Sequence, residues 1–116
     1  MSSTPGHGGR RVAQAALRVP EAKHLLSAIE AFCARTGIPV TAFGRIGFGD
    51  PRFVLDLRLG RMPRRPARLR ASALMALWGG ERWRDRPRHC VGRDRTRSQR
   101  WRLVQADGAF CLEPAA

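Results

Sequence analysis

Arginine is the residue type this sequence repeats often enough to do chemistry. All but one of the 22 basic residues are Arg, against nine acids, and the formal charge is +13 with a pI near 11.8. A surplus of that size selects a polyanionic partner, nucleic acid before a membrane surface. A GC-rich genome would explain Arg in place of Lys, but not basic in place of acidic. Other reactive side chains are too thinly spread to make a site. His89-Cys90, with Cys111 and His7, has neither CxxC nor HxxxH spacing, so no metal is expected. No nucleophile, base and orienting group can be assembled from spacing, GxGxxG is absent, and no GK[ST] follows the glycines of 44–49. The acids are dispersed, which leaves paired-carboxylate catalysis without a basis. The expectation is a protein that is not an enzyme and has no cofactor, metal or evident small-molecule substrate.

The elements that must position the arginines centre on 41–61, TAFGRIGFGDPRFVLDLRLGR. Two short apolar-periodic segments flank a glycine-bearing turn. Thr41 suits the cap of the first, Asp50-Pro51 starts the second, and Gly60 closes it just ahead of Arg61 and Pro63. Two short helices, over 42–47 and 51–59, with a tight turn between them make a helix-turn-helix pattern. Gly44 and Gly47 disfavour the first helix on propensity, so close approach of another helix at Gly44 is expected to compensate. At about 100° per residue, Phe53, Val54 and Leu57 share one face of the second helix. Arg52, Leu55 and Leu59 lie opposite, with Asp56 and Arg58 at the margins, and Arg52 and Asp56 are spaced to pair.

Around this pair the chain reads as helices. Residues 1–11 lack core-forming side chains and are expected to be a disordered, solvated arm, with phosphate contact by Arg10 and Arg11 as the alternative; 12–18 suggest a helical turn. Ala22, Leu25, Leu26, Ile29, Phe32 and Cys33 recur at three and four residues between Pro20 and Gly37, predicting a helix that supplies core. Ile38-Pro39-Val40 is an extended connector and 62–66, MPRRP, a basic loop. A further helix runs from near Pro66 to Trp78 with a broad apolar stripe.

After Gly80 the pattern stops. Residues 81–102 hold nine Arg against three acids with no period, which predicts a disordered basic tail able to coat phosphates, with Trp83 and Trp101 available to stack on bases. A shifted reading frame would give a similar run. Asp107-Gly108 signals a weak terminal hairpin that must pack on the helices through Leu103, Phe110 and Leu112. Three widely spaced cysteines indicate no disulfide framework, and Cys33 reads as a core residue. No apolar run approaches a membrane span and the first 19 residues are too weakly apolar for a signal peptide, so a reduced, bacterial-type cytoplasm is expected. The sum is an all-α fold, a small four- to five-helix bundle over 20–78 with a flexible arm over 1–19 and an Arg-rich tail over 79–116.

Residues 41–61 resemble the lambda-repressor-like (Cro/XRE-type) helix-turn-helix family. The family's small mid-helix residue, buried Val, following Leu and closing Gly correspond to Gly44, Val54, Leu57 and Gly60. The phrase FGR…GDPRFV.DLR.GR is similar to short uncharacterised bacterial proteins of that fold. The family's turn glycine falls on Phe48 here, with glycine one position later at Gly49. The resemblance implies sequence-specific binding of double-stranded DNA in transcriptional regulation, with dimers on two half-sites and a nucleoid location. It sets the helix over 51–59 in the major groove, presenting Pro51, Arg52 and Asp56. Arg52 suits guanine, Asp56 accepts from cytosine or fixes Arg52, and Leu55 meets a thymine methyl. Thr41, Arg45, Arg61, Arg64 and Arg65 hold phosphates. Two alternatives stand beside it: a nonspecific DNA or RNA coater acting through the tail, and a protein-interaction adaptor using Leu55, Leu59 and Trp78.

Overall fold

The long apolar stripe becomes α1 (Ala22–Thr36), which buries Leu25, Ile29, Phe32 and Cys33. Its end is set by Gly37, whose left-handed φ of 88° lets its N–H donate to the Cys33 carbonyl at 2.8 Å. Thr36, fully buried, donates from Oγ1 to the Phe32 carbonyl at 2.8 Å and accepts from the Ile38 N–H at 3.3 Å, so the chain leaves the helix with its polar groups satisfied. The structure is a computed structural model that describes residues 10–80, 82–83 and 101–114.

α2 (Val40–Phe48) follows after three residues. Pro39 occupies its N-cap and no side chain caps it, so Thr41 lies within the first turn and is not the cap its type suggested. The helix stops at Gly49, at φ 66°, whose N–H donates to the Arg45 carbonyl at 3.0 Å. The Asp50 carboxylate then accepts from the Arg52 N–H at 2.9 Å and its carbonyl from the Phe53 N–H at 3.1 Å. Pro51 and Arg52 are therefore turn residues. α3 (Phe53–Arg58) is six residues long, shorter than the expected 51–59, and buries Phe53, Val54 and Leu57. Phe48 stacks on Phe53 with ring centroids 3.8 Å apart, locking the end of α2 to the start of α3. Gly44 needs its missing side chain: a Cβ there would overlap the Asp50 carbonyl and lie 3.3 Å from the Phe53 Cβ. The close neighbour is thus the inter-helix turn and the first residue of α3.

α4 (Arg65–Trp78) carries Pro66 in its first turn and buries Leu69, Ala71, Ala73, Leu74, Leu77 and Trp78. The incoming chain is strapped along it: Ser72 Oγ donates to the Arg18 carbonyl at 2.7 Å and an Arg68 amino group to the Pro20 carbonyl at 3.1 Å.

The all-α expectation is wrong. Three strands, β1 (Arg10–Ala13), β2 (Trp101–Ala106) and β3 (Ala109–Pro114), form an antiparallel sheet in the order β1-β3-β2. With the four helices this makes a mixed α/β fold. Asp107 and Gly108, at φ 52° and 72°, make the β2–β3 turn. β1 comes from the part of the chain expected to be a disordered arm, and β2 and β3 from the expected tail. The reason is burial: the cross-strand pairs Leu103↔Leu112 and Val12↔Phe110 set Leu103, Leu112 and Phe110 into the helical core, with Val12 packed against them. A lone hairpin would be marginal; a third strand and a helical layer supply what it lacks. A 3-10 turn (Gln14–Ala16) leads from β1, and the Gln14 N–H donates to the Gly108 carbonyl at 2.8 Å.

Arg70 joins the two layers. Its Nε donates to the Gly47 carbonyl at 2.6 Å and an amino group to the Leu103 carbonyl at 2.6 Å. Among the described residues no helix is long and apolar enough to cross a membrane.

Three substitutions at two positions probe this frame. Gly44→Ala is expected to destabilise by about 1–3 kcal/mol, the cost of overpacking against a fixed carbonyl; an unfolding midpoint equal to wild type in urea would remove the steric account. Arg70→Met keeps bulk but strips both carbonyls of a charged donor, and should cost about 2–4 kcal/mol. Arg70→Lys, with one point of contact in place of a fork, should recover less than half of that loss in the same measurement.

Candidate nucleic-acid interface

The expected site residues lie on α2, on α3 and the turns that flank it, and at the start of α4. Asp56, in the first turn of α3, sits between two arginines: Arg52 Nε is 4.0 Å from one carboxylate oxygen and Arg61 Nη1 is 3.4 Å from the other. The Arg61 N–H also donates to the Asp56 carbonyl at 3.0 Å, which fixes the chain where it leaves α3. Arg52 and Arg61 keep 66 % and 56 % of their side-chain surface exposed, so the acid orients them without covering them.

Arg64 and Arg65 follow at the start of α4, both exposed, and the first turn of that helix has no acidic residue and no side-chain cap. The positive end of the helix dipole therefore adds to their charge. Arg61 and Arg64 border a cavity of about 550 Å³ whose apolar lining is Phe53, Met62, Pro63, Pro66 and Ala67. Arg45 is exposed on α2 just before the Gly49 turn, and Thr41 is exposed one turn earlier. Arg52, Asp56, Arg61 and Arg64 are thus connected by contact or by a shared cavity, Arg65 adjoins Arg64, and Thr41 and Arg45 stand on the neighbouring helix.

Leu55 is half-buried, whereas Leu59 and Met62 are 79 % and 67 % exposed and are the large apolar side chains this surface presents. Arg58 is engaged elsewhere: its Nε lies 2.8 Å from Glu30 Oε2 and ties α3 to α1. Trp78 is buried, and Trp83 and Trp101 gather around it with ring centroids at 5.9 and 6.5 Å. The Trp83 N–H donates to the Thr36 carbonyl at 2.8 Å. These tryptophans form an aromatic cluster in which Trp83 and Trp101 stay half-exposed. Burial removes Trp78 as an adaptor contact.

Sequence reading missed the exposure of Met62 and the cavity that it borders. The signal was present in MPRRP, where two prolines fix the backbone on either side of two arginines. His7, His89 and Cys90, weighed as metal ligands, and the Arg-rich stretch 84–100 lie outside the described residues. No protein-family model matches the chain, and neither the curated proteins nor the solved structures yield a match.

Cys33 lies under the Arg58–Glu30 pair. Burial pushes its thiol up to about 11 from 9.0, with Arg58 opposing the rise and Glu30 adding to it. Ionisation is harder folded than unfolded, so this contribution to stability is full below about pH 9 and fades as the pH climbs towards 11. Iodoacetamide at about pH 9 should leave Cys33 unlabelled in the native chain and label it fast in denaturant, read by peptide mass. Equal labelling rates in both states would contradict a buried, protonated thiol.

Proposed function

We propose that the chain binds double-stranded DNA through the α3 surface and the α3–α4 connector, as a transcriptional regulator on the nucleoid. The observation that carries the reading is the group of exposed arginines, Arg52, Arg61, Arg64 and Arg65, the first two flanking Asp56, on a chain of net charge +13. Arg52 stands at the mouth of α3 with its Nε 4.0 Å from Asp56 and its side chain exposed, which leaves the guanidinium available for a bidentate contact with the O6 and N7 of guanine. Asp56, already between two arginines, acts by fixing Arg52 more than by accepting from cytosine. Leu55 contributes from the half-buried flank, and Leu59 is the better-placed side chain for a thymine methyl. Arg61, Arg64, Arg65 and the uncapped start of α4 take phosphates, with Arg45 and Thr41 extending the track along α2.

α3 supplies only about 9 Å of helix, so few bases can be read at once and phosphate contacts must supply most of the affinity. Dimerisation on two half-sites, part of the same reading, would double that short readout.

Selection of bound sequences from a random DNA pool is the primary test, and an enriched motif is the expected result. Arg52→Ala should then lose about 1–3 kcal/mol of discrimination at one base position. Arg64→Ala should weaken every sequence alike and lower the slope of log K against log salt by about one. A pool that stays random would point to the Arg-rich stretch as a nonspecific phosphate binder. The two cannot be separated by truncation, because residues 101–114 carry two strands of the sheet. Replacing the arginines of 84–100 with Gln keeps residues 101–114 in the chain; a specific reader keeps its motif and a coater loses nearly all affinity.

A further inference from the structure

The cavity beside the connector has features that phosphate binding does not use. Its volume, about 550 Å³, is within the usual range for small-molecule sites, roughly 300–1,000 Å³. Its floor is apolar: Phe53 is 4 % exposed and held by its stack on Phe48, Pro63 is buried, and Met62 stands largely free at the rim. Its charged lining is two arginines with no acid among them. Arg61 spends one amino group on Asp56, which leaves most of the donors of its guanidinium. Arg64 has no side-chain partner among the described residues.

We infer that this cavity is a binding site for a small organic anion with a flat apolar body and one carboxylate or phosphate head. The head pairs with Arg61 and Arg64, and the body lies on Phe53, Met62 and Pro63. An inorganic anion would leave the apolar floor wet, and a neutral hydrocarbon would desolvate two guanidinium groups without pairing them. Pro63 and Pro66 hold the backbone on either side of Arg64, so little backbone entropy is lost there on binding. The site shares Arg61 and Arg64 with the DNA reading but does not rest on it, and it is tested without nucleic acid.

The probe is 2-naphthoate, titrated into the full chain carrying methyl-labelled methionine. The sequence has three methionines; Met62 rims the cavity, and Met75 on α4 is an internal control. The Met62 methyl resonance should shift to saturation at one equivalent while that of Met75 stays in place. The neutral isostere 2-naphthalenemethanol and inorganic phosphate should each bind at least about tenfold more weakly, as should 2-naphthoate with the double variant R61A/R64A. An unmoved Met62, a joint shift of Met62 and Met75, or equal affinity for naphthoate and its neutral isostere would each overturn the assignment. The two probes are compared on the unaltered chain, so that comparison holds however the variant folds. An unselective result in the DNA pool leaves a positive result here intact.

Discussion

The fold depends on one guanidinium placed where two layers meet. α2 ends with carbonyls that no N–H within the helix can reach; the Gly49 N–H serves those of Arg45 and Gly44, and the Asp50 N–H also donates to that of Gly44. Arg70 satisfies Gly47 and, through its other face, a carbonyl of the sheet at Leu103. A cation at a helix C-terminus is favoured by the dipole, and the fork geometry lets one side chain serve both layers. Its guanidinium also lies over the rings of Phe48 and Phe110 at 5.9 and 6.0 Å. Burial lowers its pKa from the ordinary arginine value, a cost that two charge-assisted hydrogen bonds and two aromatic faces offset. From Arg70 the contacts run through Phe48 to Phe53, and so to the floor of the cavity and the start of α3. The presentation of the basic surface is therefore tied to the docking of the sheet.

The helical layer was legible because its information is local. The stripe from Leu25 to Cys33, the stop at Gly37, the small residue at Gly44 and the inward set Phe53, Val54 and Leu57 can each be read within a few turns. Cap chemistry misled at Thr41 because Pro39 lies two residues earlier and starts the helix sooner. The sheet was not legible as a sheet. β1 offers four residues and a single inward apolar side chain, too little to show a period, and its partner is about a hundred residues away along the chain. The Asp107-Gly108 turn announced the hairpin, but nothing local announced the third strand that makes the hairpin stable.

The site divides along the same line. Arg52 and Asp56, four apart on a short helix, were readable as a pair, and they do approach. The second partner of Asp56, Arg61, follows from how the chain turns at Gly60, and the Arg58–Glu30 contact joins residues 28 apart. Spacing on one helix cannot show either. The tryptophan cluster was hidden for the same reason: Trp83 and Trp101 lie apart in a basic stretch until the fold brings both onto Trp78. Composition describes a side chain's chemistry and leaves open whether that chemistry is spent inside the protein.

The abundance of arginine divides in the same way, between the inside of the protein and its surface. Base composition of the gene would raise Arg over Lys everywhere alike, yet the described arginines are put to distinct uses. Arg68 and Arg70 reach backbone carbonyls from partly buried stems, Arg58 makes an inter-helix bridge, and Arg52 and Arg61 share one acid. A lysine at Arg70 would bring a point charge where two acceptors lie on different elements, and its ammonium would be harder to keep charged at that depth. Arginine there serves folding through geometry. At Arg64 and Arg65 the same residue type is left exposed at an uncapped helix end, where charge alone is useful. The net charge of +13 thus overstates the interface, because part of it is already committed to holding the surface in shape.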